Sequence, residues 1–426
     1  MTALVVILVT ITLLSLRTPV AWALLIPSLA YLIFATPLNS SAAIERMVIS
    51  VNGFPLLAVP LFILVGTLAD ATGLASRLFS ALQPLVGRVR GGIAYVGVAA
   101  ALGFSWMSGN AVSDVAVMGT VQVPEMQKRG YSDRFIAGIV TASSLVTPLI
   151  PPSIPAIIFG VASGVSIGAI LIAGIVPGLI LVILLLLMVW LYSRKRDDLR
   201  SEERVPGSRR RGLLALLPIL PAPVIVLGGI LSGLFTPTEA AAAACLYVMA
   251  ITAFFYRSLN RQTLVTAFRS AVRTTGSVMF IVTGAAVFSW VLTLERVPNA
   301  LADAVLAVTD NPTVFLLLLI VAMLVLGCFV DPVSGLLIST PVLYPVATLL
   351  GVDPLHFGMV LIFSLLIGLF TPPVGLALFV MESTTTIKLP VIIRGVAPFV
   401  AMFVLFAVLM AAVPAISTWL PSLVLR

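Results

Sequence analysis

The chain has 426 residues, of which 60% are hydrophobic and 9% charged, with a formal net charge of +8. Soluble domains carry about 25% charged residues, so the composition excludes a water-soluble globular protein; it suits roughly a dozen spans or hairpin arms of about 20 residues each. The Lys and Arg residues sit in short segments between apolar runs, which reads as orientation by positive loops rather than as a nucleic-acid surface.

Residues 2–16 lack both a basic leader and a cleavage site, so they read as a retained first span. The stretch 39–51 is an interfacial arm. Arg77, Arg88 and Arg90 mark one cytoplasmic segment, and Lys128, Arg129 and Arg134 mark the next. Between them lies the apolar stretch 91–126, interrupted at Ser108-Gly109-Asn110. With both ends on one side it must enter and return, as a re-entrant hairpin whose tip lies mid-bilayer. Residues 135–164 follow, a span broken at Thr147-Pro148-Leu149-Ile150-Pro151-Pro152-Ser153, and then a span at 167–192. The hydrophilic stretch 193–211 carries eight basic and four acidic residues and reads as a cytoplasmic linker. It separates a first repeat (1–192) from a second (212–426).

The second repeat opens with spans at 213–231 and 238–256. Arg257, Arg261, Arg269 and Arg273 are spaced among apolar residues, which predicts an amphipathic arm over 257–275 in the cytoplasmic interface. A span at 276–294 and a mostly acidic outer loop follow. Residues 312–350 form a second hairpin, entering from outside and broken at Asp331-Pro332-Val333-Ser334-Gly335. The span 356–380 is broken at Thr371-Pro372-Pro373-Val374-Gly375, and 390–418 is the last span. This topology puts both termini outside. The expected fold is therefore an all-α membrane protein of two inverted repeats, each with a re-entrant helical hairpin and a discontinuous helix. Paired breaks of this kind point to a transporter's binding site.

Broken helices leave carbonyls that carry partial negative charge, and proline frees more of them. With Ser and Thr hydroxyls they can replace the water shell of a small hard cation. Ser105, Ser108 and the backbone around Thr147, Ile150 and Pro152 would make one cation site; Gly327, Ser334, Thr371 and Val374 would make another. The opposite, N-terminal ends of the half-helices suit an anion, which places Asn110, Ser113, Ser153, Ser334 and Gly335 near a small organic acid. Asp70, Asp114, Glu239 and Asp331 sit inside or beside apolar runs, where a charge costs several kcal/mol. Glu239 reads as the capping partner of Thr236. Asp114 could stabilise the start of a hairpin helix, and Asp331 either caps its helix or lies near a cation. The lone His356 reads as interfacial. Cys245 and Cys328 read as buried and unpaired. No zinc, phosphate-loop or nucleophile-elbow signature is present, so neither an enzyme nor direct use of ATP is expected.

The same residues resemble a known family. Ser108-Gly109-Asn110-Ala111-Val112-Ser113-Asp114, Ile150-Pro151-Pro152-Ser153-Ile154-Pro155, Phe235-Thr236-Pro237-Thr238-Glu239-Ala240, Asp331-Pro332, Gly351-Val352-Asp353-Pro354-Leu355-His356-Phe357-Gly358 and Gly368-Leu369-Phe370-Thr371-Pro372-Pro373-Val374-Gly375 occur in order. Together they are similar to the large membrane subunit of the tripartite ATP-independent periplasmic (TRAP) transporters, the DctM-like family. The resemblance implies an elevator-type carrier in a bacterial inner membrane, coupled to Na+ bound at the two hairpin breaks, with no other cofactor. It also implies a small four-helix membrane subunit (DctQ-like), expected as a separate polypeptide, and a periplasmic binding protein (DctP-like) that delivers a C4-dicarboxylate, sialic acid or sugar acid. Asn110, Thr147 and Ser364 stand where the family usually has Ser, Gly and Asn, so ion coordination would differ in detail. The rival readings are a stand-alone ion- or proton-coupled organic-anion carrier and a passive channel.

Overall fold

The computed structural model describes residues 2–16, 18–36, 40–86, 89–194 and 209–425. Arg88 and most of the expected linker (195–208) lie outside the described residues. The described chain is helical, without strands. Among the described residues seven helices are long and apolar enough to cross a membrane: Phe54–Ala71, Ile167–Ser193, Pro237–Phe255, Arg261–Leu294, Pro312–Phe329, Pro332–Leu349 and Leu389–Ala412. Several others are shorter because the sequence interrupts them.

The interruptions occur twice, in the same order. Gly92–Ser108 and Ala111–Lys128 form the first hairpin, joined through Gly109. Its φ of +62° is a left-handed conformation that glycine adopts without the Cβ penalty. Pro312–Phe329 and Pro332–Leu349 form the second, joined through extended Val330 and Asp331. Each hairpin precedes a divided helix: Asp133–Ser143 and Ile154–Ser163 in the first half, Pro354–Gly368 and Leu376–Thr384 in the second. Both proline runs contain a cis peptide, at Pro151-Pro152 and Pro372-Pro373.

The two inverted repeats interlock. The returning arm Pro332–Leu349 packs on Ile154–Ser163, and its counterpart Ala111–Lys128 packs on Leu376–Thr384. Asp133–Ser143 lies along Leu389–Ala412 with backbones nearly touching: a Cβ on Gly138 would sit 2.4 Å from the Gly395 oxygen. A second group of helices gathers around Arg261–Leu294, which itself packs on Pro332–Leu349, while Ala58–Ala71 packs on Gly92–Ser108. Val20–Ala35, Ser40–Val51 and Ala58–Ala71 all lie against Arg261–Leu294, and Pro237–Ala250 lies against Ala58–Ala71.

Three expectations are corrected. The arm at 257–275 and the following span are one helix, Arg261–Leu294, of 34 residues; at 1.5 Å per residue it is about 50 Å long and exceeds the hydrocarbon thickness. No proline falls between Arg261 and Leu294, and Gly276, at the expected boundary, is too weak a breaker to divide it. The span at 213–231 is divided into Arg209–Leu216 and Pro221–Leu231, because Pro218, Pro221 and Pro223 interrupt its ladder. The last span ends at Ala412, with a separate helix Ala415–Val424 after Pro414. The His356 side chain is buried within the protein, and its Nδ1 lies 2.9 Å from the Ser417 hydroxyl.

Candidate functional site

Both hairpin tips abut the proline run of their own repeat. A Cβ on Gly109 would come 2.8 Å from the Pro152 carbonyl oxygen, so the first tip rests directly on the first run. In the second repeat the Gly375 N–H donates to the Cys328 carbonyl at 3.2 Å, two residues before the tip. The entering arm and divided helix there are in backbone contact, since a Cβ on Gly327 would lie 2.6 Å from the Leu365 oxygen.

Caps start the helices that leave the tips. Asn110 Oδ1 accepts from the Val112 N–H at 2.9 Å. Asp331 Oδ1 accepts from the N–H groups of Val333 and Ser334 at 3.1 Å each, and the Ser334 hydroxyl donates to its other oxygen. Asp331 thus caps the helix that begins at Pro332. Ser153 accepts from the Ala156 N–H at 3.2 Å. Outside the breaks, Thr236 and Glu239 close a reciprocal capping box, as their spacing predicts.

The tips enclose a cavity of 260 Å³ lined by Gly109, Asn110, Ala111 and Val112 from the first hairpin and Asp331, Pro332 and Val333 from the second. Ile154 and Pro155 contribute the start of one divided-helix arm, and Leu376 the start of the other. Four helix N-termini therefore converge on one space, each with its positive dipole end inward. Thr274 and Val278 of Arg261–Leu294, and Ile63 of Phe54–Ala71, close the remaining wall. Helix starts of this kind attract negative charge, and side chains of Asn110, Asp331 and Ser153 already cap three of the four.

The residues nominated from sequence divide between this cavity and its surroundings. Asn110 lines it. Ser113 turns away to donate to Asp70 Oδ2 at 3.1 Å. The Ser153 hydroxyl donates back to the Pro148 carbonyl, and Gly335 is buried against the Leu365 side chain. Among the cation candidates, Ser108 faces the first tip and donates to the Asn110 carbonyl at 3.4 Å. Ser105 donates to the Leu102 carbonyl at 2.7 Å and, with Ile150, lines a different cavity of 240 Å³. Thr371 donates to the Ile367 carbonyl at 2.8 Å, while Val374 is exposed. The Pro152 carbonyl and Gly327 stand at the tip contacts described above. Thr147 is fully buried, and its hydroxyl has no hydrogen-bond partner among the described residues. Pro148, Thr274 and Val278 were not nominated; no pattern in the sequence brings Arg261–Leu294 to the tips.

The DctM component of the tripartite ATP-independent periplasmic transporters matches residues 6–416. This chain belongs to that family. It is 38% identical to the sialic acid TRAP transporter large permease protein SiaM of Vibrio cholerae, over 96% of this chain and 95% of the relative. It is 36% identical to the C4-dicarboxylate large permease DctM of Pseudomonas aeruginosa, covering 93% and 92% of the two chains. Against the isethionate TRAP permease protein DctMQ of Oleidesulfovibrio alaskensis it is 34% identical, over 95% of this chain but 63% of that one. The fold resembles the crystal structure of the YdaH transporter of Alcanivorax borkumensis, with a TM-score of 0.65 at 17% identity over 87% and 88% of the chains. The chain is thus a TRAP large permease, a multi-pass inner-membrane transport protein and not an enzyme.

Proposed function

We propose that this TRAP large permease imports a small organic anion with Na+ bound at the two breaks, and receives that anion from a periplasmic binding protein. A small four-helix membrane subunit completes the assembly. The observation that carries the reading is the convergence of four helix N-termini on the 260 Å³ cavity. Positive dipole ends favour an acid group there, while carbonyls released at the proline runs supply hard oxygen ligands for sodium. Bound cations would order the tips and offset the repulsion between the anion and the exposed carbonyls. The hairpins and divided helices would then move as one body against the helices packed around Arg261–Leu294, an elevator motion about the site. The named relatives handle sialic acid, C4-dicarboxylates and isethionate. All three are acids, in keeping with a substrate class of small organic anions.

The test is uptake by proteoliposomes holding this chain with its small subunit, supplied with loaded binding protein. An inward sodium gradient should drive accumulation, and replacing external sodium with choline should reduce the initial rate at least about tenfold, the counterpart of about 1.4 kcal/mol of lost coupling. An unchanged rate in choline would refute sodium coupling.

A further inference from the structure

We propose that Asp70 and Asp114, together with the hydroxyls of Thr147 and Ser108, form a carboxylate-lined site for a monovalent cation between the Phe54–Ala71 helix and the first hairpin. The proposal rests on the transport reading above and assigns to it a ligand from the helix group outside the hairpins.

Asp114 is 1% exposed, and neither of its carboxylate oxygens has a hydrogen-bond partner among the described residues. The hydroxyls of Ser108 and Thr147 face it without closing a hydrogen bond. Asp70 stands near enough to act on Asp114 electrostatically. One Asp70 oxygen takes the Ser113 hydroxyl at 3.1 Å; the other is shut off from solvent and has no partner. Among the described residues no Lys or Arg forms an ion pair with either carboxyl group; Lys128 pairs with Glu125 at the far end of the returning arm.

Two neighbouring carboxyl groups with three unpartnered, buried oxygens are costly, because a buried polar group without a partner loses its hydration and the charged form is held there only when it is paired or coordinates a metal. Thr147 adds a buried, unpartnered hydroxyl aimed at the same point. The donor set is all hard oxygen, which suits a hard alkali cation rather than a soft metal. His and Cys take no part in it.

The site joins two packing groups. Asp70 ends a helix that packs on Pro237–Ala250, on Arg261–Leu294 and on the entering arm Gly92–Ser108, whereas Asp114 begins the returning arm, which packs on Leu376–Thr384 and Asp133–Ser143. Movement of the hairpin past Phe54–Ala71 would separate the two carboxylates and strip a ligand from the cation. Occupancy of this site would therefore depend on where the hairpin body stands, which makes Asp70 a coupling residue.

The experiment is equilibrium binding of radioactive sodium to the purified full-length chain, with choline as the ionic-strength control. Asp70→Asn keeps the shape and can still accept from Ser113, but it removes one charge. We expect D70N to bind one sodium ion fewer per chain at saturation, with the midpoint of the remaining binding unmoved. Ser113→Ala, which removes only the hydrogen bond, should retain the full number. D70N binding as many ions as the unsubstituted chain would overturn the site. Sodium binding absent from the unsubstituted chain would instead sink the sodium reading of the transporter as a whole. Thermal unfolding of D70N in choline no lower than that of the unsubstituted chain shows that a lost ion is not a lost fold.

Discussion

Replacing Gly109 with alanine should abolish sodium-driven uptake while leaving a folded, inserted protein. Gly109 has a φ of +62°, where a side chain costs about 1–2 kcal/mol. Its Cβ would also meet the Pro152 carbonyl oxygen at 2.8 Å and Ile154 at 3.4 Å. The first of these is backbone, so the tip and the proline run must part; such overpacking costs about 1–3 kcal/mol. Together these terms amount to about 2–5 kcal/mol, which corresponds to a loss of about 30-fold or more in sodium affinity. The control is Gly164→Ala. Gly164 has a φ of +75° but nothing within 4 Å of its added Cβ, so it bears the conformational cost without disturbing the break. Sodium-dependent uptake by G164A should stay within about threefold of the parent, under 1 kcal/mol. Equal losses in both variants would show that strain alone, and not contact with Pro152, matters at the tip.

Gly327→Ala should lower both thermal stability and transport. The entering arm of the second hairpin meets the divided helix backbone to backbone. A Cβ on Gly327 would lie 2.6 Å from the Leu365 oxygen and 3.1 Å from the Gly368 Cα, and a Cβ on Gly368 would lie 2.6 Å from Gly327. Neither neighbour is a flexible side chain, so the two helices must separate. The expected cost is about 1–3 kcal/mol, read as a drop in the unfolding midpoint of the purified chain. Because Gly327 lies just before the second break, sodium-dependent uptake should fall with it. Gly276→Ala provides the contrast: an added Cβ meets nothing within 4 Å inside the Arg261–Leu294 helix, and alanine there should be neutral or stabilising by about 0.5–1 kcal/mol. Unfolding midpoints that are equal for G327A and G276A would contradict the close crossing.

The parts of this fold that the sequence discloses are the ones with local causes. Glycine and proline interrupt a helix wherever they fall in apolar sequence, so both hairpins and both divided helices were legible from Ser108-Gly109-Asn110, Asp331-Pro332 and the two proline pairs. The same holds for the Thr236–Glu239 capping box, whose two partners are three residues apart. Relations between distant segments were not legible. Asp70 was visible as an acid at the end of an apolar run, yet its partner Ser113 lies 43 positions away. Spacing could not show that Thr147 would face Asp114, or that Thr274 would close the central cavity. Charge patterning misled at 257–275, where guanidinium groups among apolar residues suit both an interfacial arm and the protruding end of one long helix. For the nominated serines, sequence identifies a hydroxyl near a break but not its direction: Ser105 and Ser153 both turn to backbone carbonyls.

The account depends on main-chain oxygens at the two breaks holding sodium. The most direct test is a pair of high-resolution maps of this chain with its partner subunit, one in sodium and one in choline. In sodium, density should stand between the first tip and the Thr147-to-Pro152 run, and again between Gly327 and the Thr371-to-Val374 run, with both features missing in choline. Identical maps in the two salts, with the tips equally ordered, would contradict it.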